Sequence, residues 1–277
     1  MNTPREIAAN YVAIGKGKVN TPIPRMFVLA ILAGVFIAFG GVASTTAAIS
    51  IQSGSVGKLV GACIFPGGLA MVLLAGSELF TGNCLLTIPL LQKEITMVGM
   101  LKNWIVVYLG NMVGGFSVAA ICVFGHQADL FGNGVAASMI NTAAAKTSIS
   151  FGDALLKGIA CNFLVCIAVW IAFAGKQVAS KIIGLFFPVM IFVLCGFEHS
   201  VANMYYIAAG IFAKGNEAYM EAATQLSLTQ ASADFSSLTW ENMFVKNLLP
   251  VTLGNIVGGA ILVGVAYWFI YLKEEKK

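Results

Sequence analysis

Two glutamates and a histidine sit inside sequence of membrane-type hydrophobicity, and their surroundings repeat. Gly76-Ser77-Glu78-Leu79-Phe80-Thr81-Gly82-Asn83 can be laid over Gly196-Phe197-Glu198-His199-Ser200-Val201-Ala202-Asn203, 120 residues further on. Each copy reads Gly-x-Glu-x-x-x-small-Asn and interrupts an apolar run. Acids at membrane depth are costly, so they mark a pathway or a paired structural site. An imidazole there can hold or release a proton in the physiological range, which makes His199 the first candidate for chemistry. Glu78 and Glu198 are expected to be structural instead, their carboxylates accepting from backbone N–H groups at a helix start. The Thr81 hydroxyl can donate to an anion or accept from a protonated acid. Asn162 and Asn255 stand in otherwise apolar segments and could either bond across helices or line a pore.

Glycine beside polar residues is what a broken helix needs, and backbone can break at membrane depth only where protein or a water-filled cavity satisfies it. Two such breaks in corresponding halves point to a transport site near the midplane. Phe65, Leu69, Leu79 and Phe192 are ordinary packing residues by type. If they flank His199 in space, they become dry constrictions that exclude hydrated ions. Lys146 and Lys157 would concentrate anions at an outer mouth, or else stand as solvated loop lysines.

The elements that must carry these residues are membrane helices. Of 277 residues 58% are hydrophobic and 10% charged, with a mean hydropathy of +0.87, against about 25% charged in a soluble domain. Spanning runs cover Met26–Gly57, Leu59–Ser77, Asn103–Gly125, Gly158–Gly175 (starting near Asp153) and Asn247–Leu272, and Ile182–Ala213 is interrupted at Glu198 and His199. A short apolar piece, Asn83–Leu91, follows the first break. The count is six crossings, the second and fifth discontinuous. Eleven basic residues then fall on the inner side against four outside, which places both termini in the cytoplasm.

The repeat extends past the breaks. Lys102-Asn103 and Leu109-Gly110-Asn111-Met112-Val113-Gly114-Gly115 recur as Lys246-Asn247 and Leu253-Gly254-Asn255-Ile256-Val257-Gly258-Gly259 at a constant offset of 144, and Phe65-Pro66 is echoed by Phe187-Pro188. Three crossings per half make the second half inverted relative to the first. Gly110/Gly114 and Gly254/Gly258 are spaced for close helix packing. The fold expected is an all-α membrane protein of two inverted three-helix repeats. It is one domain over 1–277: a cytoplasmic amphipathic segment (1–25), a first repeat (26–125), an outer loop (126–152), a second repeat (153–272) and a solvated tail (273–277).

Six scattered cysteines lack metal-ligand spacing and read as small buried hydrophobes, so no metal or cofactor is expected. No basic cluster interleaves with aromatics, so no nucleic-acid partner is expected. The first 25 residues, polar and holding Pro22 and Pro24, do not read as a cleavable signal. No metal-ligand helix motif and no nucleophile with an evident base argue for an intramembrane enzyme. A neutral-solute channel is the other competing class, weakened because neither break holds an Asn-Pro-Ala triplet.

Four stretches carry a specific likeness: Ala75 to Asn83, Cys161-Asn162-Phe163-Leu164-Val165-Cys166-Ile167-Ala168-Val169-Trp170, Gly196 to Met204, and Asn247 to Asn255. Together they resemble the formate–nitrite transporter family over nearly the whole chain. The resemblance implies an aquaporin-like protomer in a homopentamer of the bacterial inner membrane, passing formate, nitrite or hydrosulfide together with protons. It implies that His199 is the central histidine, that Thr81 and Leu79 form the loop at the first break, and that Asn162 and Asn255 are polar pore residues. Phe65 and Phe192 match the constriction phenylalanines, Leu69 the inner constriction, and Lys146 a lysine of the outer vestibule. Arg5–Lys18 would be an amphipathic helix that responds to pH at the cytoplasmic mouth. Phe80-Thr81-Gly82-Asn83 departs from the Phe-Thr-Ser-Ser frequent in formate channels, and this variant is also seen in nitrite- and hydrosulfide-type relatives. Formate is the leading substrate.

Overall fold

Apolar runs cannot leave peptide groups unpaired in lipid, so they coil into helices. The computed structural model describes residues 1–229 and 235–273, which are helical with no strand among them. Residues 230–234 and the tail beyond Lys273 lie outside the described residues. In chain order the helices are α1 (Pro4–Asn20), α2 (Ile23–Ala48), α3 (Gly54–Leu74), α4 (Phe80–Leu91), α5 (Met97–Phe124) and α6 (Gly134–Thr147). They continue with α7 (Phe151–Ala174), α8 (Val178–Leu194), α9 (Ser200–Ala213), α10 (Glu217–Thr229) and α11 (Trp240–Tyr271). Five of these, α2, α3, α5, α7 and α11, are long and apolar enough to cross a membrane.

Helices begin earlier than hydropathy suggests because caps, not apolarity, start them. Thr96 accepts from the Gly99 N–H to open α5, and Ser150 accepts from the Asp153 N–H to open α7. At the other end, the run expected through Gly57 closes at Ala48, and its last residues turn into α3.

The helices pair closely where glycine allows it. A Cβ at Gly114 would overlap the Ile31 carbonyl oxygen of α2, and one at Gly258 the Ile159 carbonyl oxygen of α7. The duplicated small-residue pairs therefore bring α2 against α5 and α7 against α11, as their spacing suggested.

The segment read as an outer loop is a packed helix instead. In α6, Ala136, Ile140, Ala143 and Ala144 are fully buried, against α9 and α10. Alanine-rich sequence has high helix propensity, and a piece too short to span a bilayer still buries an apolar stripe. α1 does the same with Ile7, Ala8, Tyr11, Gly15 and Val19, and starts with a Thr3–Glu6 capping box.

Both interruptions have one cause. α3 stops at Leu74 and α8 at Leu194, and Gly76 (φ +76°) and Gly196 (φ +69°) follow in the left-handed region. The Ser77 N–H donates to the Val72 carbonyl and the Phe197 N–H to the Phe192 carbonyl, each at 3.0 Å. These are glycine-stopped helix ends, and they satisfy carbonyls that lipid could not.

Candidate functional site

The chain restarts as α4 and α9 from two residues in extended conformation, Leu79 (φ −111°) and His199 (φ −107°). The first amide of each restarted helix needs an acceptor, and a side-chain amide supplies it. The Phe80 N–H donates to Asn111 Oδ1 and the Ser200 N–H to Asn255 Oδ1, both at 2.9 Å. Asn111 Nδ2 donates to the Ala30 and Glu78 carbonyls, and Asn255 Nδ2 to the Gly158 and Glu198 carbonyls. Each asparagine thereby ties a break to a spanning helix with every one of its groups used.

Among the described residues the carboxylates of Glu78 and Glu198 accept from side chains and not from backbone N–H groups, contrary to the sequence reading. Glu78 accepts from Lys18 Nζ at 2.8 Å and from Asn83 Nδ2 at 2.6 Å. Asn83 also donates to Asn103 Oδ1, and Asn103 in turn to the Lys18 carbonyl. Glu198 accepts from Lys146 Nζ at 2.9 Å on both oxygens and from Asn203 Nδ2 at 2.6 Å. Asn203 donates to Asn247 Oδ1, and Asn247 closes the ring on the Lys146 carbonyl. A full lysine charge beside a buried carboxylate outcompetes neutral N–H donors, and the asparagines satisfy what remains.

Across the gap between the breaks, Thr81 Oγ1 and His199 Nε2 stand 2.9 Å apart, both side chains buried. His199 Nδ1 accepts from the Ala202 N–H at 3.0 Å. That bond assigns the neutral tautomer, since a nitrogen accepting from an amide carries no proton and the ring proton then lies on Nε2. Nε2–H donates to Thr81, whose own hydroxyl hydrogen is left to donate elsewhere.

Aromatic rings close one side of this contact. Phe65 and Phe192 meet edge to face at 5.7 Å, and Phe192 stacks on His199 at 5.9 Å. Phe65, Phe192 and His199 border a cavity of ≈ 1070 Å³ that is also lined by Lys58, Lys146, Lys157 and Glu198. On the other side Leu69 and Leu79 border a cavity of ≈ 340 Å³, together with Lys18 and Glu78. Phe65, Leu69, Leu79 and Phe192, scattered in sequence, thus sit between the two cavities.

Asn162 donates to the Thr81 and Asn255 carbonyls and is fully buried. For Asn162 and Asn255 alike, the amide hydrogens bond across helices. Lys146 borders the larger cavity, but its charge is spent on Glu198. Asn111, Asn83, Asn203, Asn103 and Asn247 were not singled out by sequence reasoning. Their signal was present, because both duplicated motifs carry asparagine at matching positions.

A sequence model described as Formate/nitrite transporter matches residues 5–269. The chain belongs to the formate/nitrite transporter family. Curated relatives in this family include a "Probable formate transporter" of Methanothermobacter thermautotrophicus, 38% identical, the match covering 98% of each chain. The "Formate channel FocA" of Escherichia coli (strain K12) is 36% identical over 91% of this chain and 88% of that protein. Among solved structures, a "Pentameric formate channel with formate bound" superposes with a TM-score of 0.79 at 33% identity, covering 91% of this chain and 98% of that one. Membership in a transporter and channel family, together with the apolar helices, makes this a multi-pass membrane protein.

Proposed function

We propose that this chain is a pH-dependent, channel-like transporter for small monovalent anions of weak acids, with formate first among them. The observation that carries the reading is the Thr81–His199 contact, held between two apolar constrictions and two cavities. The path runs from the smaller cavity past Leu69 and Leu79 to Thr81 and His199, then past Phe65 and Phe192 into the larger one. An anion stripped of water pays a high desolvation cost at each apolar wall, whereas its neutral conjugate acid does not. At the centre the Thr81 hydroxyl, which accepts the His199 Nε2–H, offers its own hydrogen to the substrate, and the imidazole can hand over a proton once Nδ1 releases the Ala202 N–H and is protonated. Flux should therefore rise as pH falls and the protonated fraction of the substrate grows.

The matched bonds at both breaks support six crossings in two inverted halves, with the second and fifth crossings discontinuous. The lysine distribution supports both termini on the cytoplasmic side of the inner membrane. The pentameric assembly of the formate channel that superposes on this chain supports a homopentamer here. Nitrite, named in the family's description, and hydrosulfide are the alternatives by the same mechanism.

In proteoliposomes, His199→Phe should abolish pH-dependent formate flux, and unchanged flux would sink the reading. Competition of nitrite and hydrosulfide with formate uptake at two pH values ranks the substrates.

A further inference from the structure

The two cavities differ in charge as well as size. The smaller is lined by one lysine and one glutamate, Lys18 and Glu78, and these pair with each other. The larger is lined by three lysines, Lys58, Lys146 and Lys157, against the single acid Glu198. Lys146 is consumed by that acid, so three lysines less one glutamate leave a surplus of two positive charges. Among the described residues neither Lys58 nor Lys157 has a carboxylate partner.

Both of these lysines meet the second break, Lys58 from α3 and Lys157 from α7. Lys58 Nζ lies 3.1 Å from where a Cβ at Gly196 would stand, so its head covers the glycine turn. Lys157 accepts the Glu198 N–H on its carbonyl at 3.3 Å, and its exposed side chain lines the same cavity. Gln52 and Thr142 add neutral hydrogen-bonding groups to the wall. At ≈ 1070 Å³ the space far exceeds what a three-heavy-atom anion fills. Low-dielectric walls focus the field of unneutralised charges into such a cleft.

We propose that Lys58 and Lys157 form a second anion site in the larger cavity, one that holds small organic dicarboxylates. Two cations match a dianion better than a monoanion. The same dianion cannot continue inward, because two charges would have to shed water between Phe65 and Phe192. A dicarboxylate therefore binds and blocks from this side alone, which gives the protein a sidedness that the symmetric breaks lack. Binding at this site stands by itself; its effect on flux rests on the transport reading above.

The probe is malonate, titrated calorimetrically into the full-length protein in detergent at low and physiological ionic strength. Wild type, Lys58→Gln/Lys157→Gln and Lys58→Arg/Lys157→Arg are compared. Both positions are exposed, so neither exchange threatens the core. The glutamine pair should weaken malonate binding about tenfold at low salt, the scale of electrostatic focusing, and the arginine pair should retain it. Wild-type affinity should fall as the Debye length shrinks from roughly 30 Å to about 8 Å. In liposomes, malonate on the larger-cavity side should slow formate flux, and malonate on the other side should not. Equal binding by wild type and the glutamine pair, or no binding by wild type at low salt, overturns the site. Malonate binding without any formate flux leaves the site standing and removes the transport reading instead.

Discussion

At the residue scale, the two breaks share a scaffold and differ at one aligned position. Leu79 and His199 occupy the same extended site ahead of their helices, but the imidazole caps its own helix through Nδ1, whereas Leu79 has nothing to offer. The imidazole is thus oriented by the backbone it caps, and its Nε2 is aimed at Thr81 by that bond. The asparagines hold the frame. Asn255→Leu would strand the Ser200 N–H and the Glu198 carbonyl, while the Gly158 carbonyl keeps its bond within α7. At about 1–3 kcal/mol for each unsatisfied buried group, the loss should reach several kcal/mol. Thermal unfolding in detergent, read against Asn255→Asp, checks this; an unshifted melting transition would contradict it. Asparagine in an apolar helix was visible in the sequence as an anomaly. Which carbonyls it serves was not, because they belong to segments up to 97 residues away.

At the element scale, the correspondence between the two breaks reaches further than the matched motifs. α1 brings Lys18 to Glu78 from its last turn, and α6 brings Lys146 to Glu198 from its last turn. The two short helices thereby play equivalent parts, although no sequence match links them and 126–152 reads as a loop. Their shared feature is a buried stripe with a terminal lysine, and a pattern that loose escapes alignment. The glycine pairs were far more legible, since close approach demands one residue type at a fixed spacing. Gly258→Ala should cost about 1–3 kcal/mol, because the new Cβ meets a backbone carbonyl that cannot swing aside. A lowered melting temperature of the assembly is the expected readout.

The cap of α1 adds a pH dependence. The Thr3 N–H, and after it the Thr3 hydroxyl, hold the Glu6 carboxyl below its ordinary range. A depressed folded pKa contributes stability that is present above the unfolded value and lost as pH falls through the folded one. Amide exchange in the first turn of α1 should therefore quicken in acid relative to its neighbours. Glu6→Gln should flatten that response.

At the scale of the whole molecule, a nearly symmetric frame carries asymmetric contents. One break holds threonine and leucine and the other holds histidine. One cavity is small and electrically balanced, while the other is large and cationic. If transport has a preferred side, these differences are where it resides. The membrane class, the two glycine-stopped helix ends, the duplicated motifs and the close helix pairs were all legible in the sequence. Each of those follows from hydropathy, spacing and backbone freedom, which are local properties of the chain. Only the folded chain brings Thr81 to His199, sets asparagines rather than glutamates at the restarted helices, and gives Lys146 a carboxylate while, among the described residues, Lys58 and Lys157 have none. Those are choices among partners. They depend on distances between remote segments and on which charge wins a buried acceptor, and no local pattern encodes either.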